Sequence, residues 1–304
     1  MQLENARAGR CAIMGRPNVG KSTLLNAVLG QKLVIATPKA QTTRTSVLGV
    51  YVREEPPTQI AFVDTPGLHR PKDALDRVLA QQAKSALTDA DAVLWLSEVN
   101  RNPDPGRIAS DLEQVPALVV RRPVVLAINK VDRVRDKRKL LPVIDACRRR
   151  HRFAAIVPVS ARSGDNLDVL VSELRALLPQ GLLYPQDVLT DKPQRFFVAE
   201  LVREAVLNST RHEVPHSVAV VIDKYLERGN LVRISATLYV ERASHKAIVI
   251  GVRGQQLKRI GIAARKEIEA LLERRAFVRL WVKVARHWRR DPASVRRLAG
   301  EPAA

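Results

Sequence analysis

The segment Gly15-Arg16-Pro17-Asn18-Val19-Gly20-Lys21-Ser22-Thr23 decides how the first half of this chain is read. Residues 15–22 fit GxxxxGK[ST]. The run before them, Arg10 to Met14, reads as a strand, and Lys21 to Leu29 reads as a helix, which is the context a phosphate-binding loop needs. Its glycines let successive backbone amides curl round phosphates, and the helix N-terminus adds the positive end of its dipole. Lys21 would reach the β- and γ-phosphates, and the Ser22 hydroxyl would ligate Mg²⁺.

Working outward, short aliphatic runs alternate with amphipathic stretches. Strands are expected at Thr45 to Val52, Gln59 to Val63, Ala92 to Leu96, Val124 to Ile128 and Ala155 to Pro158. Helices are expected at Leu75 to Leu87, Ile108 to Glu113, Lys139 to Arg149 and Leu167 to Leu178. Such alternation predicts a doubly wound, mostly parallel α/β sheet that binds its ligand at the carboxyl ends of its strands.

Three further motifs fall at those ends. Asp64-Thr65-Pro66-Gly67 closes the third strand; the aspartate can hold Mg²⁺ through a water, and the Gly67 amide can sense the γ-phosphate. Thr42-Thr43-Arg44 lies in a polar loop whose hydroxyls could ligate Mg²⁺ while the γ-phosphate is present. Asn129-Lys130-Val131-Asp132 closes the fifth strand. A carboxylate there can accept two hydrogen bonds from guanine, which adenine would leave unmade in a desolvated pocket. Ser160-Ala161-Arg162 follows the sixth strand and offers the Ala161 amide to guanine O6. In this order and placement the motifs read as a site for GTP and GDP with Mg²⁺.

Residues 179–194, with Pro179, Gly181, Pro185 and Pro193, read as a linker between a domain at 1–178 and a second at 195–304 that ends in a basic tail. The second domain is expected to be α+β. Phe196 to Leu207 reads as a helix, Ser217 to Tyr225 and Leu231 to Val240 as strands, and His245 to Ile250 as extended chain. Gly254 to Glu273 reads as a helix and Val278 to Val284 as a closing strand. Gly251-Val252-Arg253-Gly254 would thus be a GxxG loop between a strand and a helix, where two glycines let a nucleic-acid backbone approach closely.

Charge points the same way. The chain carries 51 Lys and Arg against 31 acids, a net +20 over 304 residues, and Arg242 to Arg297 holds 16 basic residues against Glu267, Glu269, Glu273 and Asp291. Like charges at that density suit a polyanionic partner, although 37 arginines against 14 lysines also fit an arginine-rich coding bias. No apolar run approaches the ~18 residues of a membrane span, and the N-terminus lacks a signal-like apolar core, so a cytoplasmic protein is expected. Cys11 and Cys147 cannot build a disulfide framework and are expected to be reduced core residues. Trp281 and Trp288 could stack bases, but Trp281 alternates with Val282 and is read as packed. His69 is read as a loop residue, and Arg148 to Arg152 as a solvated helix end.

GRPNVGKST, TTR, DTPG, NKVD and SAR resemble the motifs of Ras-like GTPases of the bacterial ribosome-assembly branch, and VIGxxGxxL in its setting resembles a type II KH domain. Together with the linker and the ending RLWVKVARHWRR, the chain from about Arg10 to Leu298 is similar to the Era family. The resemblance implies that Thr43 is the Mg²⁺-binding switch residue, with Lys21, Asp64 and Gly67 beside it in catalysis. It extends the nucleotide contacts to residues 15–23 and to Asp64, Thr65, Pro66, Gly67, Leu68, Asn129, Lys130, Asp132, Ser160, Ala161 and Arg162. Asn18 stands where related enzymes hold K⁺ near the phosphates. Leu68 occupies the place of the water-orienting glutamine, so slow intrinsic hydrolysis is expected. RNA contacts are implied at Gly251, Val252, Arg253, Gly254, Gln255, Lys258 and Arg259. The implied partners are 16S rRNA near its 3′ end and the nascent 30S subunit, for a monomer that associates peripherally with the inner face of the cell membrane.

Overall fold

The computed structural model describes residues 5–37, 39, 43–65, 71–113, 122–185, 188–210 and 217–299. The chain divides into two compact units: Met1–Val34, Thr43–His69 and Leu79–Asp191 in the first, and Ile35–Thr42, Arg70–Val78 and Lys192–Ala304 in the second.

The first unit is built on β1 (Arg7–Gly15), β2 (Val47–Arg53), β3 (Thr58–Asp64), β4 (Ala92–Glu98), β5 (Val124–Asn129) and β6 (Ala155–Pro158), in the order β2-β3-β1-β4-β5-β6. All neighbours are parallel except β2, which runs antiparallel to β3. Every residue of β5 is buried, as expected of a parallel strand covered on both faces. The sheet alternates with α1 (Lys21–Leu29), α2 (Ala74–Thr88), α3 (Pro105–Leu112), α4 (Leu141–Arg150) and α5 (Leu167–Ala176). Asp104 caps α3 by accepting from the Gly106 amide at 2.9 Å, with Pro105 at the first helical position where its missing N–H costs nothing. Arg148, Arg149 and Arg150 end α4, where exposed cations suit the negative end of the helix dipole. Trp95, fully buried, packs in one core cluster with Met14, Leu126 and Cys147; both cysteines are free and buried.

The stretch expected as a linker is held to the first unit as far as Asp191. Gln59 accepts from the Leu183 and Tyr184 amides and donates to Tyr184 O at 2.7 Å, and Leu189 O accepts from Val50 N at 2.8 Å. This segment covers part of the edge that β2 would otherwise present.

In the second unit, α6 (Gln194–Ser209) packs Val198, Leu201, Val202 and Val206 against a sheet of β7 (Ala219–Arg228), β8 (Leu231–Val240) and β9 (Arg275–Val284). The order is β7-β8-β9, with β7 antiparallel and β9 parallel to β8. Two helices complete it, α7 (Ala243–Ile250) and α8 (Gln255–Leu272), followed by α9 (Pro292–Ala299). Ile260, Ala264 and Ile268 of α8 lie at i, i+4 and i+8 and are fully buried, each isoleucine contributing about 1.5–3 kcal/mol of transfer free energy.

Residues 245–250 correct the sequence reading: they are helical, not extended. A run of β-branched residues resembles a strand, but the buried positions are His245 and Val249, one helical turn apart, and Gly251 at φ 70° stops the helix. The GxxG segment therefore joins two helices.

The same unit includes two segments from far upstream in the chain. Ile35 lies in its core cluster, Ala36 N donates to Glu204 Oε1 at 3.3 Å, and the Lys39 ammonium donates to the carbonyls of Leu207 and Thr210. Arg289 pairs with Asp73 at 2.9 Å and accepts from Leu75 N at its carbonyl.

Candidate nucleotide site and RNA-binding cleft

The phosphate loop runs from the carboxyl end of β1 into α1. Gly15 and Gly20 hold φ of 143° and 103°. An added Cβ would come within 2.4 Å of Leu96 O at the first and of Asn129 Nδ2 at the second, so both positions require glycine. Gly20 is the N-cap of α1 and supplies no side-chain acceptor, which leaves first-turn amides of the helix to an incoming anion. Lys21 is buried and curls back, its Nζ donating to Gly15 O at 3.1 Å and Arg16 O at 3.0 Å. Burial lowers its pKa to about 8 despite the opposing pull of Asp64. A triphosphate would restore the missing counter-charge.

Three oxygens converge beside it. Asp64 Oδ2 accepts from Ser22 Oγ at 2.9 Å and from Thr43 Oγ1 at 3.0 Å, and the two hydroxyls are 3.1 Å apart. Asp64 is wholly buried, its pKa is raised by burial, and its Oδ1 has no hydrogen-bond partner. A buried carboxylate with an orphaned oxygen beside two hydroxyls suits a hard divalent cation that also takes phosphate and water ligands. Among the described residues no cluster of three His, Cys, Asp or Glu offers a different cation site. The neighbouring Thr65 is also buried, and its hydroxyl is tied to Ile13 O at 2.7 Å, anchoring the end of β3 to β1. Thr42, Pro66, Gly67, Leu68 and His69 lie outside the described residues.

The base-side motifs meet the loop through Asn129. Its Nδ2 donates to Val19 O at 2.8 Å, while its Oδ1 accepts from Ala161 N at 3.0 Å and Lys130 N at 2.8 Å. A guanine O6 would have to share the Ala161 amide with that side chain. Asp132 Oδ1 accepts from Ser160 Oγ at 2.8 Å, which orients the carboxylate. Lys130 donates to Asn18 O at 2.8 Å and pairs with Glu98, and Arg16 pairs with Asp111. Pro17 is part of the loop, Thr23 is exposed on α1, and Arg162 is exposed beyond the sixth strand. Glu98 and Asp111 escaped the sequence reading because neither belongs to a motif; the ends of β4 and α3 bring them to the loop only in three dimensions.

In the second unit, Gly251 (φ 70°) accepts no Cβ, since one would lie 2.5 Å from Gln256 Cβ. Arg253 also has positive φ, at 49°, and is exposed beside Val252, which is 79% exposed. Gly254, Leu257, Lys258, Gly261, Ile262 and Arg265 form one wall of a cleft of about 400 Å³, and Phe277 to Leu280 of β9 form the other. Gly254 and Lys258 line this cleft, whereas Gly251, Val252, Arg253, Gln255 and Arg259 do not. The β9 wall was missed, because it comes from a strand distant from the GxxG segment.

Of the two tryptophans that could stack bases, Trp281 is exposed rather than packed as expected, and Trp288 is the buried one. Trp288 is fully buried and donates its indole N–H to Ser217 O at 2.9 Å, so it cannot stack a base; Trp281 is 54% exposed. β9 is an edge strand that buries only its helix-facing side, and Trp281 lies on the other.

A family profile described as 50S ribosome-binding GTPase matches residues 10–130, and one described as KH domain matches 213–289. The GTPase Era of Geobacter metallireducens is 46% identical over 295 residues, spanning 96% of this chain and 97% of its own. That of Lacticaseibacillus paracasei is 45% identical over 300 residues, spanning 97% of each chain. The chain belongs to the Era family of GTPases. Era of Aquifex aeolicus, solved as a point variant bound to GDP·AlF₄⁻, superposes with a TM-score of 0.90 at 41% identity over 97% of this chain and all of that one. An Era complex with MgGDPNP and nucleotides 1506–1542 of 16S ribosomal RNA superposes with a TM-score of 0.89 at 40% identity, covering 98% of this chain and all of that one. Guanine nucleotide and Mg²⁺ are the ligands of the Era family.

Proposed function

We propose that this protein is a cytoplasmic GTP-hydrolysing switch that binds 16S rRNA near its 3′ end and assists assembly of the 30S subunit. The observation that carries the reading is the position of Thr43. Its hydroxyl meets Ser22 and Asp64 at the nucleotide site, while Ile35, Ala36 and Lys39, a few residues before it in sequence, pack with the unit that holds the GxxG cleft. Release of the Thr43 loop therefore reaches the RNA-binding unit through the chain itself. The RNA assignment is supported by the Era complex with nucleotides 1506–1542 and by the basic GxxG cleft.

On this reading Lys21 neutralises the β- and γ-phosphates, Ser22 and Thr43 ligate Mg²⁺, Asp64 holds it through a water, and the Gly67 amide senses the γ-phosphate. An ion held there would offset the negative charge that develops during transfer. Asn129 and Asp132 select guanine. Leu68 cannot orient a water, so intrinsic turnover is slow, and K⁺ at Asn18 supplements the charge. Gly251, Arg253, Gly254 and Lys258 clamp the RNA backbone, with Gln255 and Arg259 beside them.

Single-turnover GTP hydrolysis with and without single-stranded RNA of the 16S 3′ end, in potassium and in sodium buffer, tests these roles. RNA is expected to accelerate the step about tenfold or more, an arginine finger setting the upper scale at about 10³–10⁵. No acceleration leaves GTP as an affinity effector only, and equal rates in the two salts remove K⁺. The proposal also makes the protein a monomer with peripheral membrane association through its basic surface. No helix among the described residues is long and apolar enough to cross a membrane. Failure to float with vesicles containing anionic lipid would remove the membrane part.

A further inference from the structure

Among the described residues, β9 buries the side that faces the helices of the second unit and leaves its other side exposed. Ala276, Val278, Leu280 and Val282 of β9 pack inward with Val232, Ile234 and Leu238 of β8. The alternate residues point the other way, and Arg275, Phe277, Arg279, Trp281 and Lys283 are all exposed, Phe277 at 52% and Trp281 at 54%. Register continues this face across the sheet. Leu226, Arg233 and Phe277 form one cross-strand row, Lys224, Ser235 and Arg279 the next, and Val221, Thr237 and Trp281 a third. Apolar rings thus alternate with rows of basic side chains, and the Arg279 guanidinium lies 5.9 Å from the Phe277 ring centre.

Negative charge on this face is already engaged. The described acids of the three strands are Asp223 and Glu227. Asp223 accepts from Thr237 at 2.7 Å; Glu227 is in register with the inward-facing Val232 and accepts from Arg274 at 2.6 Å. Trp95 and Trp288 are buried, whereas Trp281 presents its ring to water. An exposed tryptophan and phenylalanine in a basic field form a patch that calls for a partner. Phe277 and Arg279 also line the GxxG cleft, so the cleft and the open face share the edge of β9.

We propose that this open sheet face is a stacking platform for single-stranded RNA, carrying the strand onward from the GxxG cleft with Trp281 as its principal ring and Lys283, Arg279 and Arg233 as its phosphate contacts. The proposal rests on the reading of the second unit as an RNA clamp and extends its footprint. Phe277 and Trp281 stand four residues apart, roughly 13 Å along the strand, on one side of the sheet. An open sheet with exposed aromatics holds splayed bases by stacking in other RNA-binding modules, and basic neighbours track the backbone. Rings and cations interleaved in this way favour RNA over a protein partner.

The buried tryptophans make Trp281 the ring that acrylamide quenching of the full-length protein reads. The probes are a single-stranded RNA of about four nucleotides, the length a GxxG clamp grips, and one extended at both ends to about 12. The longer RNA should shield Trp281 from acrylamide and the shorter should not. Trp281→Ala should weaken binding of the longer RNA about tenfold and leave the shorter unchanged, with Trp281→Phe restoring most of the loss. Lys283→Ala should flatten the salt dependence for the longer RNA by ~0.7 for each phosphate it no longer neutralises. GTP affinity, unaltered in each variant, reports that the chain remains folded. Gly254→Asp should abolish binding of both RNAs; if it does not, the clamp reading itself fails. If Gly254→Asp acts but Trp281 stays equally quenchable and Trp281→Ala binds the longer RNA normally, the platform is overturned and the face belongs to a protein partner.

Discussion

On the proposed reading Asp132 carries base selectivity through one carboxylate, and the geometry around it gives that role a measurable consequence. Its Oδ1 accepts from Ser160 Oγ at 2.8 Å, and Ser160 is itself fully buried, so one oxygen of the exposed carboxylate has a fixed partner. Replacing it by asparagine exchanges an acceptor for a donor. Asp132→Asn should therefore lower GTP affinity by about 100-fold or more and raise affinity for xanthosine triphosphate, measured with fluorescent nucleotide analogues. Unaltered preference for guanine would refute the assignment. Asp64 is a different kind of residue: burial raises its pKa and its Oδ1 has no hydrogen-bond partner, an arrangement that suits a bound cation.

At the scale of elements, the turn from α7 into α8 rests on two glycines in unlike situations. Gly251 has φ 70° and ψ 178°, a region open essentially to glycine alone, and an added Cβ would lie 2.5 Å from Gln256 Cβ and 3.1 Å from Gln256 N. Gly254 is left-handed at φ 76° with open space around it. Gly251→Ala should cost about 3 kcal/mol of stability in urea melts. Gly254→Ala should cost about 1 kcal/mol. Equal costs would mean that the loop relaxes freely and that its geometry is not held. This element also shows where sequence patterns mislead. The phosphate loop and α1 were legible because their residues are local and chemically specific. The helix at 243–250 was not, because Ile248, Val249 and Ile250 carry strand-like side chains and only the burial of His245 and Val249 on one face makes them helical.

The whole molecule assigns its chain unevenly. Ile35 belongs by sequence to the loop after α1, yet it is buried in the core of the second unit with Val198, Leu201 and Val202. Ile35→Ala should lower the stability of that unit by about 2–4 kcal/mol. Native-state hydrogen exchange should then quicken in α6 and α8 while β4 and β5 keep their protection. Loss confined to β4 and β5, or equal in both units, would contradict the grouping. The consequence for the proposed function lies in the same grouping: Ile35, Ala36, Lys39 and Asp73 stand near Thr43 and the DTPG motif in sequence and pack with the second unit in space. The net +20 gains meaning at this scale too. Its densest part, Arg242 to Arg297, includes the exposed strand β9 and the basic wall of the cleft rather than a diffuse surface.

Sequence alone determined that guanine nucleotide and Mg²⁺ are the ligands, because GxxxxGKS, DTPG, NKVD and SAR are short, contiguous and chemically specific. It also determined the order of the two folds and the place of the GxxG segment at the start of α8. Tertiary structure alone decided what depends on distant residues. It placed Glu98 and Asp111 beside the phosphate loop, Phe277 to Leu280 across the cleft from α8, Trp288 inside and Trp281 outside, and Ile35 in the second core. The physical reason is common to all of these. Burial and charge pairing are properties of surfaces that meet on folding, and a side chain's alternation along its own strand does not reveal which face another element will cover.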